Sequence, residues 1–319
     1  MAPPLLQKRL FSGLLLSVLL LALLLTDLYL SSLTPPQWIV PGTKINLAHW
    51  IYNGAISSLL VLGFTWMAAR ELVNFARNLG FRPLGKVAQV FSAGMVLAPF
   101  VAFNFKEGLL LGNESWGVLW MAMAVGFSFF MQAVRRGTEN AMVNIACTQF
   151  IILYAGGFAG FLTKLRMEVG GPRGMLLMLL SVLIVKMTDT GAYFFGSWFG
   201  KNKMVPWLSP KKTWEGFIGG ILTAVAVAWI CAVLLERNGI PVGPVQQLPF
   251  VARVLLLGVS LALFSVAGDL CASLLKRDAA VKDSGDSLPG LGGILDVLDS
   301  PLLAAPAAWF FWTRLTPLT

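Results

Sequence analysis

Between Gly268 and Ser300 the sequence GDLCASLLKRDAAVKDSGDSLPGLGGILDVLDS sets acids, bases and glycines side by side, in a chain only 12% charged. Asp269, Ser273, Lys276 and Arg277 recur at helical spacing and share one face. Lys282 and Asp283 follow, and then Pro289, Gly290, Gly292 and Gly293, a turn whose backbone could approach a phosphate closely. Asp296 and Asp299 come next, three positions apart, with Ser300 beside them. Carboxylates near glycines and cations suit Mg²⁺, which takes one or two carboxylates together with the phosphate oxygens of a substrate. A salt-bridged staple between two helices would explain two or three of these residues, but not the whole set.

Two further clusters lie upstream. In KMTDTGAYFFG, Lys186, Asp189 and Tyr193 fall on one helical face. The plain reading is an internally neutralised ion pair, with Gly191 and Gly196 allowing close helix approach. The preferred reading is the polar wall of a substrate cavity, because a buried pair is a costly means of packing alone. In LSPKKTWEGFIGG, Pro210 fits a helix start, which puts Lys211, Lys212 and Thr213 at or near a helix N-terminus. Backbone N–H groups and the helix dipole attract anions there. Glu215 and the glycines Gly216, Gly219 and Gly220 follow. The competing reading is an ordinary basic flank with Trp214 as an interfacial anchor.

The elements that position these residues are membrane spans. The chain has 319 residues, 57% of them hydrophobic, with a mean hydropathy of +0.75. Soluble domains are about 45–50% apolar and about 25% charged, so the fold class is an all-α polytopic bundle in a membrane. Apolar runs, each able to cross about 30 Å of hydrocarbon, cover 10–33, 47–68, 87–105, 115–134, 141–162, 174–199, 214–235, 252–275 and 292–313, nine in all. The first follows Lys8 and Arg9 as a signal peptide would. Its apolar core is too long and lacks a small-residue cleavage site, so it reads as a retained anchor. Lys and Arg are in excess on the side that holds the N-terminus, which makes that side cytoplasmic. The 200–213 and 276–291 loops then share the cytoplasmic face. Polar chemistry concentrates after residue 185, dividing the chain into a scaffold over 1–170 and a catalytic region over 171–319. The net charge of +9 suits anionic headgroups or a phosphorylated substrate; no nucleic-acid partner is expected. Cys147, Cys231 and Cys271 sit in apolar stretches and read as small buried hydrophobes.

With these residues in view, the chain resembles the phosphatidate cytidylyltransferase family, whose members make CDP-diacylglycerol from CTP and phosphatidic acid. The family signature runs Ser, two variable positions, Lys-Arg, four variable positions, Lys-Asp, then Pro-Gly-His-Gly-Gly and Asp-Arg-any-Asp. Ser273, Lys276, Arg277, Lys282, Asp283, Pro289, Gly290, Gly292, Gly293, Asp296 and Asp299 match it in order and spacing. Asp189 to Tyr193, Ser209 to Gly216 and Gly268-Asp269 also look like family motifs, so the specific match covers about residues 186–305. Leu291 stands where the family has His, and Val297 where it has Arg. The single histidine, His49, lies in the second run and reads as an interfacial polar residue. The nucleophile in cytidylyl transfer is a phosphate oxygen, already anionic near neutral pH, and pyrophosphate needs charge neutralisation more than a proton. Positioning and electrostatics therefore carry such a reaction. An inactive paralogue is the alternative that the two departures raise.

The resemblance implies roles. Asp269 and Asp296 would hold Mg²⁺, with Asp299 or Asp283 as accessory ligand and a second, monovalent cation left open. Lys211, Lys212, Lys276, Arg277 and Lys282 would bind the CTP triphosphate and the phosphatidic acid headgroup. Ser273 and Thr213 would donate hydrogen bonds to phosphate oxygens, while Lys186 and Asp189 shape a deeper cavity reached by lipid from the side. Glu215, Gly292 and Gly293 count among the substrate-binding residues. The resemblance also implies a homodimer in a bacterial inner membrane, with its site facing the cytoplasm. Two other functions compete. A CTP-dependent lipid kinase of the polyprenol or phytol type would use similar parts but give a different product. An ion-coupled transporter would use Lys186, Asp189 and Asp269, but the sequence has none of the internal symmetry common in that class.

Overall fold

In hydrocarbon a backbone N–H or C=O has no water to bond, so long apolar segments satisfy their own groups by forming helices. The computed structural model describes residues 4–37, 47–104, 116–242, 248–285, 287 and 292–315. Its helices are α1 (Pro4–Ser31), α2 (Leu47–Tyr52), α3 (Ala55–Asn78), α4 (Gly85–Asn104), α5 (Trp116–Arg136), α6 (Ala141–Ile151), α7 (Phe158–Val169), α8 (Gly171–Phe199), α9 (Trp214–Arg237), α10 (Phe250–Asp278) and α11 (Ile294–Phe310). A π-helical turn, Ile152–Gly157, joins α6 to α7, and another, Phe311–Leu315, extends α11. Among the described residues eight spans are long and apolar enough to cross a membrane, α6 to α7 counting as one. Helix α1 runs over 28 residues, and its described side chains, from Val18 to Ser31, form an apolar stretch. The protein is thus an all-α polytopic membrane protein.

Two local expectations are corrected. The second apolar run, expected over 47–68, is broken at Gly54, whose φ of +89° starts α3 in the left-handed region that glycine adopts without strain. The spanning helix is therefore α3, ending at Asn78, and it carries Glu71 inside it. The second correction concerns Pro210. It starts no helix; Lys203–Val205 (β1) and Ser209–Thr213 (β2) form an antiparallel hairpin pairing Lys203 with Thr213 and Val205 with Ser209. Proline is tolerated in so short a ribbon because one edge of each strand needs no donor. Of the cysteines Cys231 is buried, but Cys271 is exposed on α10.

The chain divides into two units. The first holds residues 1–175 and 278–297. There α4 packs against α3, α5, α7 and the π turn. Small residues permit this: a methyl group on Gly156 would come 2.5 Å from Ser92 Cα, and one on Gly160 would come 2.8 Å from the Met95 carbonyl. Arg166 of α7 is 1% exposed and points at Asp27 of α1, 0% exposed, at 3.5 Å. Its guanidinium also donates to Ser31 Oγ (2.6 Å) and to the Gly171 carbonyl (2.9 Å).

The second unit holds 176–277 and 298–319. Glycines on α9 bring its backbone onto α8, since a methyl group on Gly216 would come 2.7 Å from the Ala192 carbonyl. On α10, Gly258 does the same against Val225 of α9, at 2.8 Å. Trp312, fully buried, donates from Nε1 to Ser181 Oγ of α8 (2.9 Å).

Breaking a buried ion pair by removing one partner costs about 3–5 kcal/mol, because the other charge is left uncompensated. Arg166→Met is therefore expected to lower the unfolding midpoint in detergent strongly, and Asp27→Asn in the same chain should restore part of the loss. Thermal unfolding of the single and double variants checks both.

Candidate active site

Each charged group of the second unit sits on a helix or strand that fixes its direction. On α8, Lys186 and Asp189 lie one turn apart with Nζ 3.6 Å from Oδ2. Their side chains remain 37% and 34% exposed, so the pair lines a wall and is not sealed in a core. Asp189 Oδ1 accepts from Ser265 Oγ of α10 (3.1 Å) and from Ser300 Oγ of α11 (3.2 Å). Lys186 also reaches Asp299 of α11 at 3.9 Å, and Asp299 Oδ1 accepts the Ser300 N–H (2.7 Å). On α10, Asp269 Oδ1 accepts from Ser273 Oγ (3.4 Å) and Oδ2 lies 2.8 Å from Lys212 Nζ. Asp269 is near enough to both Asp189 and Asp299 for the carboxylates to repel one another. What holds α10 so near α11 is Gly268, where a methyl group would fall on the Asp299 carbonyl.

The hairpin places the lysines. Trp214 N–H donates to the Asn202 carbonyl (3.0 Å), and Glu215 closes the ribbon by accepting from Asn202 Nδ2 (2.8 Å) and from its N–H (3.2 Å). Thr213 is the N-cap of α9, its Oγ1 accepting from the Gly216 N–H (3.1 Å). Lys211 and Lys212 thus lie on the strand that runs directly into the N-terminus of α9, near a helix end as expected although Pro210 does not start that helix. Asp189, Tyr193, Lys211, Lys212, Thr213 and Asp269 line a cavity of about 280 Å³. Lys212 Nζ is buried in contact with Asp269 Oδ2. Three carboxylates against Lys186 and Lys212 leave a deficit of positive charge, while Lys211 adds a cation at the rim.

The first unit holds the glycine-rich loop. Gly292 has φ +87°, and Gly293 is pressed against Ser284 so closely that a methyl group would collide with Ser284 Oγ. Asp296, in the first turn of α11, accepts at Oδ2 from Ser284 N–H (2.8 Å), Ser284 Oγ (2.9 Å) and Gly293 N–H (3.2 Å). Glu71 of α3, 3% exposed, accepts from Ser287 Oγ (2.5 Å) and from the N–H groups of Ile294 and Leu295 (both 2.9 Å). The first amides of a helix have no partner within it, and the positive end of the dipole favours a carboxylate. Glu71 meets both needs from a helix more than two hundred residues earlier.

Of the residues singled out in the sequence, the second unit brings together Lys186, Asp189, Lys211, Lys212, Thr213, Asp269, Ser273 and Asp299. Lys276 and Arg277 lie in the last turn of α10, with Arg277 Nε 3.5 Å from the Leu208 carbonyl. Glu215 is engaged with Asn202, and Lys282 and Asp283 are exposed after α10. Gly292, Gly293 and Asp296 belong to the first unit; Pro289, Gly290 and Leu291 lie outside the described residues. His49 is exposed on α2. Among the described residues no three Asp, Glu, His or Cys side chains form a ready metal cage. A cation held by the Asp269 and Asp299 pair would depend on substrate oxygens or water for the rest of its shell, a pattern that suits Mg²⁺. Glu71, Ser265 and Ser284 were not singled out. For Glu71 the available signal was a lone acid within the apolar stretch MAARELVNFA.

Residues 37–315 match the model of the cytidylyltransferase family, and the chain belongs to that family. The phosphatidate cytidylyltransferase of Mycobacterium bovis is 36% identical over 288 residues, 87% of this chain and 88% of its own. That of Staphylococcus epidermidis is 41% identical over 263 residues, 82% and 92% of the two chains. That of Haemophilus influenzae is 34% identical over 209 residues, 64% and 68%. The likeness thus extends over the N-terminal spans, beyond the motifs.

Removing the Glu71 acceptor strands buried donors at about 1–3 kcal/mol. Glu71→Ala is expected to lower the unfolding midpoint and to speed protease cleavage within 284–293, with Glu71→Gln, which keeps one acceptor oxygen, in between. Limited proteolysis followed by mass mapping reads the effect.

Proposed function

We propose that the protein transfers the cytidylyl group of CTP to phosphatidate, releasing pyrophosphate and leaving CDP-diacylglycerol in the membrane. The observation that carries this reading is the cluster of Lys186, Asp189, Lys212, Asp269 and Asp299, gathered at motif positions in a cytidylyltransferase-family chain. An oxygen of the phosphatidate phosphate attacks the α-phosphorus of CTP, and the bond from that phosphorus to the β-phosphate oxygen breaks. The nucleophile is already ionised and pyrophosphate departs as an anion, so no residue has to move a proton. Leu291 in place of the family's His is compatible with such a step.

What the chain supplies is positioning and charge. Lys211 and Lys212 on the hairpin draw the triphosphate toward Asp269, with Lys212 Nζ exchanging part of its carboxylate contact for phosphate oxygens. Thr213 keeps its hydroxyl oxygen on Gly216 and has its proton left for a phosphate. Lys276 and Arg277 add positive charge in the last turn of α10, where Arg277 can engage phosphate through two parallel N–H groups. The half-exposed wall of Lys186, Asp189 and Tyr193 receives the lipid headgroup from the side. A divalent cation of the Mg²⁺ kind, once bound, supplies neutralisation of the phosphates and polarisation of the α-phosphorus. Asp269 and Asp299 would hold it within this cluster. The Lys and Arg bias supports a cytoplasmic face for the loops, where CTP is found, and the bacterial relatives support an inner-membrane setting.

Purified protein given CTP, phosphatidate and MgCl₂ should release pyrophosphate and form a CDP-lipid. CDP plus a phosphorylated lipid would instead mark a kinase, and no product from the wild type overturns the reading. Asp269→Asn is expected to cut release at least a hundredfold with its unfolding midpoint preserved, and excess EDTA should stop turnover until Mg²⁺ is restored.

A further inference from the structure

The first unit contains a second concentration of positive charge that the transfer reaction does not use. Arg77 lies in the last turn of α3, Arg82 in the connection to α4, and Arg135 and Arg136 at the end of α5. All four line one cavity of about 570 Å³, together with Glu139 and Asn144. Cations at helix C-termini are stabilised by the dipole, and basic flanks are common in membrane proteins. Neither fact requires guanidinium groups from three separate elements to converge on one hollow, where like charges repel.

The hollow is also built. Arg136 donates to the carbonyls of Arg82 and Pro83, fixing the connection between α3 and α4 against the end of α5. Arg82 N–H donates to Asn144 Oδ1 (3.0 Å), and Asn144 Nδ2 to the Glu139 carbonyl (3.4 Å). Gln132 Nε2 holds the same turn through the Gly137 and Glu139 carbonyls (3.3 and 3.2 Å). The rim is thus set by groups other than the guanidiniums of Arg77, Arg82 and Arg135. Among the described residues none of the four arginines pairs with a carboxylate within 4.0 Å. The cavity has the volume of an ordinary small-ligand site. Within the five residues before Arg135, α5 exposes Phe130 and Val134, so the arginines directly follow an exposed apolar surface on a span apolar enough to cross a membrane.

We propose that this basin binds a phosphate group, held by the forked donors of Arg77 and Arg135 with Arg82 beside them. Guanidinium planes match phosphate oxygens through paired N–H groups, which an ammonium cannot do. The phosphate can come from an anionic lipid headgroup at the membrane boundary or from a soluble phosphate, and the test separates the two sources. The unfolding midpoint of the full-length protein is measured in neutral detergent against rising short-chain phosphatidylglycerol, short-chain phosphatidylcholine or inorganic phosphate. A ligand that binds only the folded state raises the midpoint as its concentration passes its Kd.

The wild type is expected to respond to phosphatidylglycerol and not to phosphatidylcholine, and Arg77→Gln/Arg135→Gln to weaken that affinity at least tenfold. Basal cytidylyl transfer in neutral detergent should stay within twofold in the variant, which shows an intact fold. A response to inorganic phosphate at equal concentration, lost in the same variant, assigns a soluble ligand and supports the proposal equally. A response that survives in the double variant originates elsewhere and overturns the proposal, as does a wild type that responds to neither probe. If the double variant purifies poorly, the single variants Arg77→Gln and Arg135→Gln should each weaken affinity at least threefold; undiminished affinity in both overturns it as well.

Discussion

A carboxylate in a membrane-spanning helix must be compensated where it stands, because hydrocarbon offers nothing to solvate it. Asp189, Asp269 and Asp299 meet this constraint with Lys186, Lys212 and the hydroxyls of Ser265, Ser273 and Ser300. The compensation is incomplete: Asp269 lies near enough to Asp189 and Asp299 for the carboxylates to repel one another, and Lys212 lines a cavity. A cluster so balanced is stable enough to fold and still short of positive charge.

Such a cluster is possible only if the helices approach more closely than large side chains permit. Glycines on α9 and α10 remove the Cβ atoms that would hold the backbones apart, so short side chains such as Asp and Ser can reach across. The hairpin adds a second device. A lysine on a helix end would be one cation among solvated neighbours, whereas β2 carries Lys212 directly against Asp269. Glu215, though ionisable, serves that geometry by locking Asn202 to the start of α9.

In the first unit the same constraint takes another form. Glu71 is buried and its compensation comes from backbone amides and a hydroxyl, not from a cation. It fixes the first turn of α11, where Ser284 in turn donates to Asp296. The N-terminal spans are therefore more than a hydrophobic frame: one of their side chains caps the start of α11.

Composition and hydropathy alone determined the fold class and most spans, because a membrane leaves the backbone so few choices. The motif around Ser273 to Asp299 likewise made the family legible, since its residue types and spacing match that family's signature. Three things were decided by tertiary structure. The break at Gly54 moved a span and drew Glu71 into it; hydropathy does not report a backbone turn, and a side chain at Gly54 would meet Met167 and Arg166. Pro210 lies in a strand because pairing with β1, and not its own preference, set the conformation. Glu71 and Ser265 found their partners on helices distant in sequence, and no pattern along the chain records which of several apolar faces will meet.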